Sequence, residues 1–209
     1  MWSGDRAIPH NLNGAVLIHS WSGDFMIKGE YKLIGDIGEC IVKYLIESME
    51  DWECISYGVE HHIKVLKDSL SNNHEDDTSK KVRNMPDFVA YNKKTKKSHL
   101  IEVKLRTNPD NKFGFSYSQI KDYCKFWKDS KMIVISPKEP YFDIVEMKDV
   151  TDELFIGTKI IKGRTLEEFN FNKIRKDIQG LFPELTKENI ENAIKYIPFR
   201  QNNSEVIKK

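Results

Sequence analysis

The chain has 209 residues, 39% of them apolar and 31% charged, with a formal net charge of +1 at pH 7. This apolar fraction, with eleven Phe, eight Tyr and four Trp, is typical of a globular protein with one well-buried core and excludes a chain that stays disordered. The three cysteines form no CxxC pair, no stretch approaches eighteen apolar residues, and the first residues lack a leader pattern, so we expect a cytoplasmic, reducing location without disulfides, secretion or a membrane span.

The amino-terminal part of the chain is predicted to be an extension of the main domain. Two apolar stretches, AVLIHSW and FMIKGEYKL, flank the turn-forming Ser22-Gly23-Asp24, which predicts a β-hairpin within residues 1–33. Residues 35–51 then show helical periodicity, with Asp36 as the N-cap. We therefore expect the main domain to begin with a helix directly after a hairpin.

Three strands are predicted after this helix. Residues 52–60 form the first strand, and the polar, unpatterned residues 67–81 form a loop. PDFVAY (86–91) and HLIEVKLR (99–106) are predicted strands, and the turn-forming NKKTKKS between them predicts a hairpin.

A second helix and two further strands complete the predicted core. Residues 116–129 have a helical pattern, residues 131–137 (KMIVISP) form a short buried strand, and residues 141–150 form another. The order of elements is therefore helix, strand, strand, strand, helix, strand, with additions at both ends.

The carboxyl-terminal part is predicted to be mainly helical. The pairing of Thr165 with Glu168 has the spacing of a capping box and predicts a helix over residues 165–182. A second helical pattern covers residues 185–197. We expect residues 150–209 to form a helical extension beyond the core.

Basic residues are concentrated in one segment. Between Lys80 and Arg106 the chain has nine Lys or Arg and two acidic residues, a local charge of +7, so the rest of the chain carries −6. Clustered cations of this kind indicate a binding surface for a polyanion such as DNA, and the alternative is a solvated hairpin tip. The candidate DNA-binding residues are Lys80, Lys81, Arg83, Lys93, Lys94, Lys96, Lys97 and Arg106.

Charged side chains interrupt one of the predicted apolar strands. Glu102 and Lys104 stand two positions apart, so they lie on one face of the strand while the apolar residues between and beside them point the other way. If the two hairpin strands pair in the right register, Asp87 reaches the same point as Glu102. Two carboxylates held this close repel unless a cation lies between them, and Mg²⁺ takes oxygen ligands of this type.

Four elements of the chain share the spacing of a known motif: Pro86-Asp87, Glu102-Val103-Lys104 on the next strand, Glu39 in GDIGE on the first helix, and Gln119 with Tyr123 in QIKDY on the second helix. Together they resemble the PD-(D/E)xK nuclease superfamily, and most closely archaeal Holliday junction resolvases and related archaeal viral nucleases. The resemblance covers roughly residues 35–137. It implies an α/β, restriction-endonuclease-like αβββαβ core with a mixed central sheet flanked by helices.

The resemblance also implies a role for each matching residue. Asp87 and Glu102 would bind Mg²⁺ or Mn²⁺, with the carbonyl of Val103 as a further ligand and Glu39 as an additional ligand or water-binding group. Lys104 would orient or help deprotonate the attacking water. Gln119 and Tyr123 would contact phosphate or hold the metal-bound water, and Arg106 would contact phosphate.

Structural alternatives exist for the same residues. Lys104 could form a cross-strand ion pair with Asp87, and Glu39 could complete a capping box at the start of its helix. Tyr123 could pack against Phe126, with Gln119 on the surface. In these cases the residues would stabilise the fold without taking part in chemistry.

The resemblance implies a metal-dependent DNA endonuclease that acts on branched DNA as a homodimer, in the cytoplasm or as a viral protein in a host cell. We expect an extension over residues 1–33, a nuclease core over residues 34–149 and a mainly helical extension over residues 150–209. Two alternatives stay open: a related nuclease acting on ends, flaps or single strands, and a DNA-binding module of the same fold without catalysis.

Overall fold

The structure is a computed structural model, and it describes residues 28–58, 76–106, 113–115, 117–161 and 164–198. Within these ranges the helices are α1 (Lys28–Glu47), α2 (Asp77–Arg83), α3 (Tyr117–Phe126), α4 (Ile178–Leu181) and α5 (Lys187–Ile194). The strands are β1 (Trp52–Ser56), β2 (Phe88–Asn92), β3 (Ser98–Leu105), β4 (Phe113–Phe115), β5 (Lys131–Ile135), β6 (Phe142–Glu146), β7 (Phe155–Ile161), β8 (Arg164–Phe169) and β9 (Lys176–Asp177). None of the helices in the described part of the chain is long and apolar enough to cross a membrane.

Six strands form a mixed sheet in the order β1-β2-β3-β5-β6-β9. β3 and β5 run parallel, and the other neighbours in this sheet are antiparallel. The predicted α/β fold class is confirmed, because α1, β1, β2, β3, α3 and β5 follow one another in the αβββαβ order of a restriction-endonuclease-like core. A second, three-stranded sheet has the order β4-β8-β7.

Alternating side chains divide the core between the two faces of the large sheet. Ile101 and Val103 of β3 point toward α1, where they pack with its buried residues Val42, Leu45 and Ile46. The other face is covered by a second apolar cluster. It combines α3, the sheet and the carboxyl-terminal segment, which is the described chain from residue 150 onward (150–161 and 164–198): Ile120, Tyr123, Met132, Val134, Val145, Met147, Leu154, Phe169 and Phe171. Each face of β3 therefore lies in a different environment.

Helix α1 begins earlier than the sequence predicts. Its first described turn starts at Lys28, so the predicted second hairpin strand is wrong over residues 28–33, and residues 1–27 lie outside the described part. Asp36 is not an N-cap; its carboxylate accepts a hydrogen bond from Lys32 one turn earlier, at 3.1 Å. Short apolar runs are ambiguous between helix and strand, and the i,i+4 ion pair favours the helix here.

Helix α2 replaces part of the predicted loop over residues 67–81. Asp76 caps it by accepting a hydrogen bond from the backbone N–H of Ser79 at 2.8 Å. The helix is also held from outside, because the indole N–H of Trp127 donates to the carbonyl of Lys81 at 3.1 Å. A seven-residue helix is too short to be stable alone, so these contacts to the α3 region explain why a polar segment is ordered.

The helix predicted over residues 165–182 is wrong. Residues 164–169 form β8, which pairs with β4 on one side and β7 on the other, and α4 covers only Ile178–Leu181. Pairing on both sides satisfies the backbone groups of β8 and overrides a local capping pattern. The second predicted helix, over residues 185–197, is present as α5, with Thr186 as its N-cap. The predicted mainly helical character of residues 150–209 is therefore corrected, over the described residues 150–161 and 164–198, to a mixture of strands and short helices.

The carboxyl-terminal segment packs directly against the predicted core. Phe182 lies edge-on to Trp52 of β1, with ring centroids 5.0 Å apart, and to His99 of β3, at 6.0 Å. His99 in turn stacks on Trp52 at 5.7 Å. Burial, and then the positive charges of Lys131 and Lys97, lower the pKa of His99 from its ordinary 6.5 to about 4.

We expect His99 to make the fold sensitive to acid. The folded protein holds a neutral imidazole where the unfolded chain takes up a proton, so its contribution to stability is complete above about pH 6.5 and is lost as the pH falls toward 4. Urea unfolding at a series of pH values should show this loss in the wild type and a smaller loss in His99→Phe. Equal pH dependence in both proteins would refute the assignment.

Gly38 allows helix α1 to approach β3 closely. A Cβ atom added at this position would lie 2.9 Å from the Cβ of Leu105 and 3.5 Å from a methyl carbon of Val103. The Cβ of Leu105 is attached to the backbone of β3 and cannot turn away. Any larger residue at position 38 must therefore move the helix away from the sheet.

We expect Gly38→Ala to lower the free energy of unfolding by about 1 to 3 kcal/mol, the usual effect of overpacking a core. Gly35 in the same helix is a matched control, because nothing lies within 4 Å of a Cβ added there. Gly35→Ala should raise the free energy of unfolding by about 0.5 to 1 kcal/mol through helix propensity. The same sign of change in both variants, measured by urea denaturation, would contradict this account.

Candidate active site

The pairing of β2 with β3 brings two acidic residues together. Phe88 is paired with Ile101, so Asp87, one residue earlier, lies opposite Glu102, one residue later. Both are buried, with 7% and 2% of their surfaces exposed. The side chain of Asp87 accepts a hydrogen bond from the backbone N–H of Val103 at 2.7 Å, which holds its carboxylate against β3. The convergence expected from strand alternation is present.

Glu102 has one paired and one unpaired carboxylate oxygen. Its Oε1 accepts a hydrogen bond from Nζ of Lys104, whose side chain is 32% exposed. Its Oε2 is buried and, among the described residues, has no hydrogen-bond partner. Buried polar atoms are nearly always satisfied, so an unpaired carboxylate oxygen indicates a place for a ligand or an ion.

The environment of Asp87 disfavours its charge. Burial, and then the negative charge of Glu102, raise the pKa of Asp87 well above its usual value, while the ammonium of Lys104 and the N–H of Val103 act in the opposite direction. Such a pair of carboxylates is costly to hold in a folded protein, and a bound cation would relieve the repulsion.

These residues line a cleft of about 500 Å³ between β3, α1 and α3. The cleft is lined by every residue that the sequence assigned to chemistry: Glu39, Asp87, Glu102, Val103, Lys104, Gln119 and Tyr123. Arg83, at the end of α2, adds one basic residue to its wall. Four separate segments of the chain thus meet at the carboxyl-terminal half of β3.

Glu39 lies in the middle of α1, not at its start. The helix begins at Lys28, eleven residues earlier, so the alternative capping-box role of Glu39 is wrong. The next apolar residues of its row, Val42 and Ile46, are buried, and Glu39 at the head of this row lines the cleft. Its negative charge contributes to the raised pKa of Asp87.

The donor set suits a metal that needs few protein ligands. No group of three His, Cys, Asp or Glu side chains that could hold an ion occurs among the described residues, so Glu39 does not form such a group with Asp87 and Glu102. Mg²⁺ usually keeps several waters and takes one or two carboxylates, which the facing pair and the unpaired oxygen of Glu102 can supply. The residues present therefore fit Mg²⁺ or Mn²⁺, while the ligand roles of Glu39 and of the Val103 carbonyl stay predictions.

Gln119 and Tyr123 lie one turn apart on α3 and both line the cleft. Tyr123 is buried and also belongs to the apolar cluster on this face of the sheet. Tyr123 therefore packs in the core and also lies beside the site, while its predicted contact with Phe126 stays a prediction. The contact of Gln119 and Tyr123 with phosphate or water stays a prediction.

The structure divides the predicted basic surface into two groups. Lys80, Lys81 and Arg83 belong to α2, and Arg83 lies in the wall of the cleft. Lys93, Lys94, Lys96 and Lys97 are exposed in the turn between β2 and β3. This turn lies at the far end of β3 from the cleft. Ser98, the first residue of β3, is about 13 Å from Glu102 along the strand, at about 3.3 Å per residue. Arg106 follows β3, where its backbone N–H donates to the carbonyl of Ile135 at 2.9 Å.

One partly buried charged pair is missing from the sequence-based prediction. Asp143 is buried in β6 and lies 3.5 Å from the guanidinium of Arg175. The signal was available, because Asp143 interrupts an apolar strand as Glu102 does. Its partner could not be found this way, since Arg175 is 32 residues away in the chain.

Comparisons with known proteins give little beyond the fold. No family model matches the chain, and no curated protein matches it. Among solved structures, the chain is similar to Hjc, a Holliday junction resolvase from the archaeal hyperthermophile Archaeoglobus fulgidus, with a TM-score of 0.37 and 10% identity over 74% of this chain and 99% of that chain. A likeness this weak carries no argument about activity, which has to come from the geometry of the cleft.

We expect Mg²⁺ to stabilise the protein through the facing carboxylates. A Mg²⁺ concentration about 100 times Kd should raise the free energy of unfolding by about 2.7 kcal/mol. Glu102→Gln should lose this gain, while its stability in EDTA stays equal to the wild type or rises, because the repulsion with Asp87 is removed. Thermal melts with and without Mg²⁺ measure both effects.

The control for this experiment is Glu184→Gln, which removes an exposed carboxylate outside the cleft. It should respond to Mg²⁺ like the wild type. Equal stabilisation of all three proteins would show that the ion binds elsewhere.

Proposed function

We propose that this protein is a metal-dependent DNA endonuclease that hydrolyses phosphodiester bonds in branched DNA such as four-way junctions. One observation carries the proposal: Asp87 and Glu102 face each other on paired strands, buried, with Oε2 of Glu102 unpaired among the described residues and Lys104 beside it. Two carboxylates and an ammonium at one point of a cleft suit hydrolysis of a phosphate ester assisted by a divalent ion.

Asp87 and Glu102, with the carbonyl of Val103, would hold Mg²⁺ or Mn²⁺. The ion would supply positive charge to the phosphate oxygens and lower the pKa of a water. The N–H of Val103 keeps Asp87 in place, so the position of one ligand is set by the backbone of β3. Glu39, farther along the cleft wall, would hold a water.

Lys104 is suited to a part in the chemistry. Its ammonium contacts Glu102, and its partly exposed side chain lines the cleft. From there its N–H groups would orient the attacking water and offset the negative charge that develops on the phosphate. The product strand would carry a 5′-phosphate.

Other residues of the cleft would bind the substrate. Arg83 can contact a phosphate with two parallel hydrogen bonds, a geometry that a guanidinium favours. Gln119 and Tyr123 place an amide and a hydroxyl from α3 in the wall of the cleft. The lysines of α2 and of the β2–β3 turn would contact the DNA backbone farther from the cut.

A junction-cutting enzyme must cut two symmetric strands. We therefore propose that two copies of the chain act together on one junction, each supplying one cleft. This follows from the two-fold symmetry of the substrate.

The proposal can be tested with a 5′-labelled four-way junction and, separately, with its duplex and single-stranded arms. Each substrate is incubated with protein in Mg²⁺, Mn²⁺ or EDTA. We expect paired symmetric nicks on the junction only, abolished by EDTA and reduced by at least about 100-fold in Glu102→Gln and Lys104→Gln. Glu184→Gln should cut like the wild type.

The other outcomes separate the alternatives. Metal-dependent cutting of duplex or single strands would indicate a nuclease that acts on ends, flaps or single strands. Tight binding of DNA without cutting in any metal would indicate a binding module, and the proposed chemistry would be wrong.

A further inference from the structure

The carboxyl-terminal segment places a second guanidinium on the face of the sheet that carries the cleft. Lys104 is paired with Val134 of β5, and Val134 is paired with Asp143 of β6. Paired residues point to the same face, and Val134 belongs to the cluster beneath α3. Asp143 therefore lies on the same face as Lys104, two strands away, or about 10 Å at about 4.8 Å per strand.

Asp143 needs a cation, and the carboxyl-terminal segment supplies it. Burial raises the pKa of Asp143, and the positive charges of Arg175 and then Arg106 oppose this effect. Arg175, from the segment before β9, contacts this buried carboxylate, and Arg106, from the end of β3, acts on it through its charge.

Arg175 is placed by packing as well as by charge. Phe171 is fully buried in the cluster under α3, and the backbone N–H of Arg175 donates to its carbonyl at 2.9 Å. The side chain of Arg175 is 28% exposed. A guanidinium has five N–H donors, so contact with Asp143 leaves donors available to a second anion.

We propose that Arg175 binds a DNA phosphate within about three nucleotides of the one that is cut, and that Asp143 is the positioning residue that holds Arg175 on this face of the sheet. This inference rests on the proposed function. A DNA strand advances about 3.4 Å along its axis per phosphate, so a group held at Asp143, whose strand lies about 10 Å from that of Lys104, faces a phosphate within about three nucleotides. The segment outside the nuclease resemblance then completes the substrate-binding surface.

The charge balance of the cleft favours this role. Glu39, Asp87 and Glu102 lie on its walls with Arg83 and Lys104, so the site itself has a net charge of −1 before any ion binds. A polyanion needs cations close by to approach such a site. Arg175 and Arg106 supply such cations beside the carboxylates of Asp143 and Asp177, so this part of the sheet face is formally neutral where the cleft is negative.

The test measures how many phosphates the protein contacts. Binding of the four-way junction to the full chain carrying Glu102→Gln is measured over a range of salt concentrations, with and without Arg175→Gln. The slope of log K against log salt should fall by about 1 in magnitude when Arg175 is lost, since one phosphate contact disappears. In the cutting enzyme, Arg175→Gln should raise KM by about tenfold and leave kcat unchanged.

Variants of Asp143 separate positioning from structural support. Asp143→Asn should reduce the salt slope as Arg175→Gln does, Asp143→Glu should restore it, and the double variant should show no further change. Lys173→Gln is the matched control, because it removes an exposed cation two residues away and should leave the slope unaltered.

Three outcomes would overturn the inference. An unchanged slope in Arg175→Gln, with a lower melting temperature, would make the pair a structural ion pair only. An equal fall in Lys173→Gln would mean that the general charge of the segment matters and not Arg175. If the protein carrying Glu102→Gln binds no DNA at any salt concentration, the inference and the proposed DNA substrate both fail, whereas the first two outcomes leave the proposed function intact.

Discussion

The register between β2 and β3 is the constraint on which the site depends. With Phe88 opposite Ile101, Asp87 meets Glu102, and the apolar side chains of both strands point toward α1. A shift by one residue would turn Glu102 and Lys104 into the apolar cluster and expose the core residues. The core side of the sheet therefore specifies the register, and the arrangement of the charged side follows from it.

The same arrangement links stability to function. A buried Asp87 whose pKa is raised by burial and by Glu102 lowers the stability of the protein, and a cation would reverse that effect. Natural proteins keep such arrangements mainly where a ligand or a reaction uses them. Gly38 also contributes to the site. It permits the close approach of α1 to β3, and this approach brings Glu39 to the cleft.

The carboxyl-terminal segment has an integral place in this fold. It contributes Phe182, Leu185 and Ile197 to the core under α1, and Phe169 and Phe171 to the core under α3. It thus covers parts of both faces of the large sheet. Through Arg175 and Asp143 it also reaches the side of the sheet on which the cleft opens.

The sequence by itself determined the hairpin of β2 and β3, the shared face of Glu102 and Lys104, and the buried row on α1, because these follow from periodicities of two and 3.6 within short segments. It also indicated that Glu39, Gln119 and Tyr123 belong near the acidic pair, through their resemblance to a known motif. Only the tertiary structure decided that α2 is ordered by Trp127, that residues 164–169 form a strand between two others, and that Arg175 meets Asp143. Each of these depends on a partner far along the chain, which local propensity does not register.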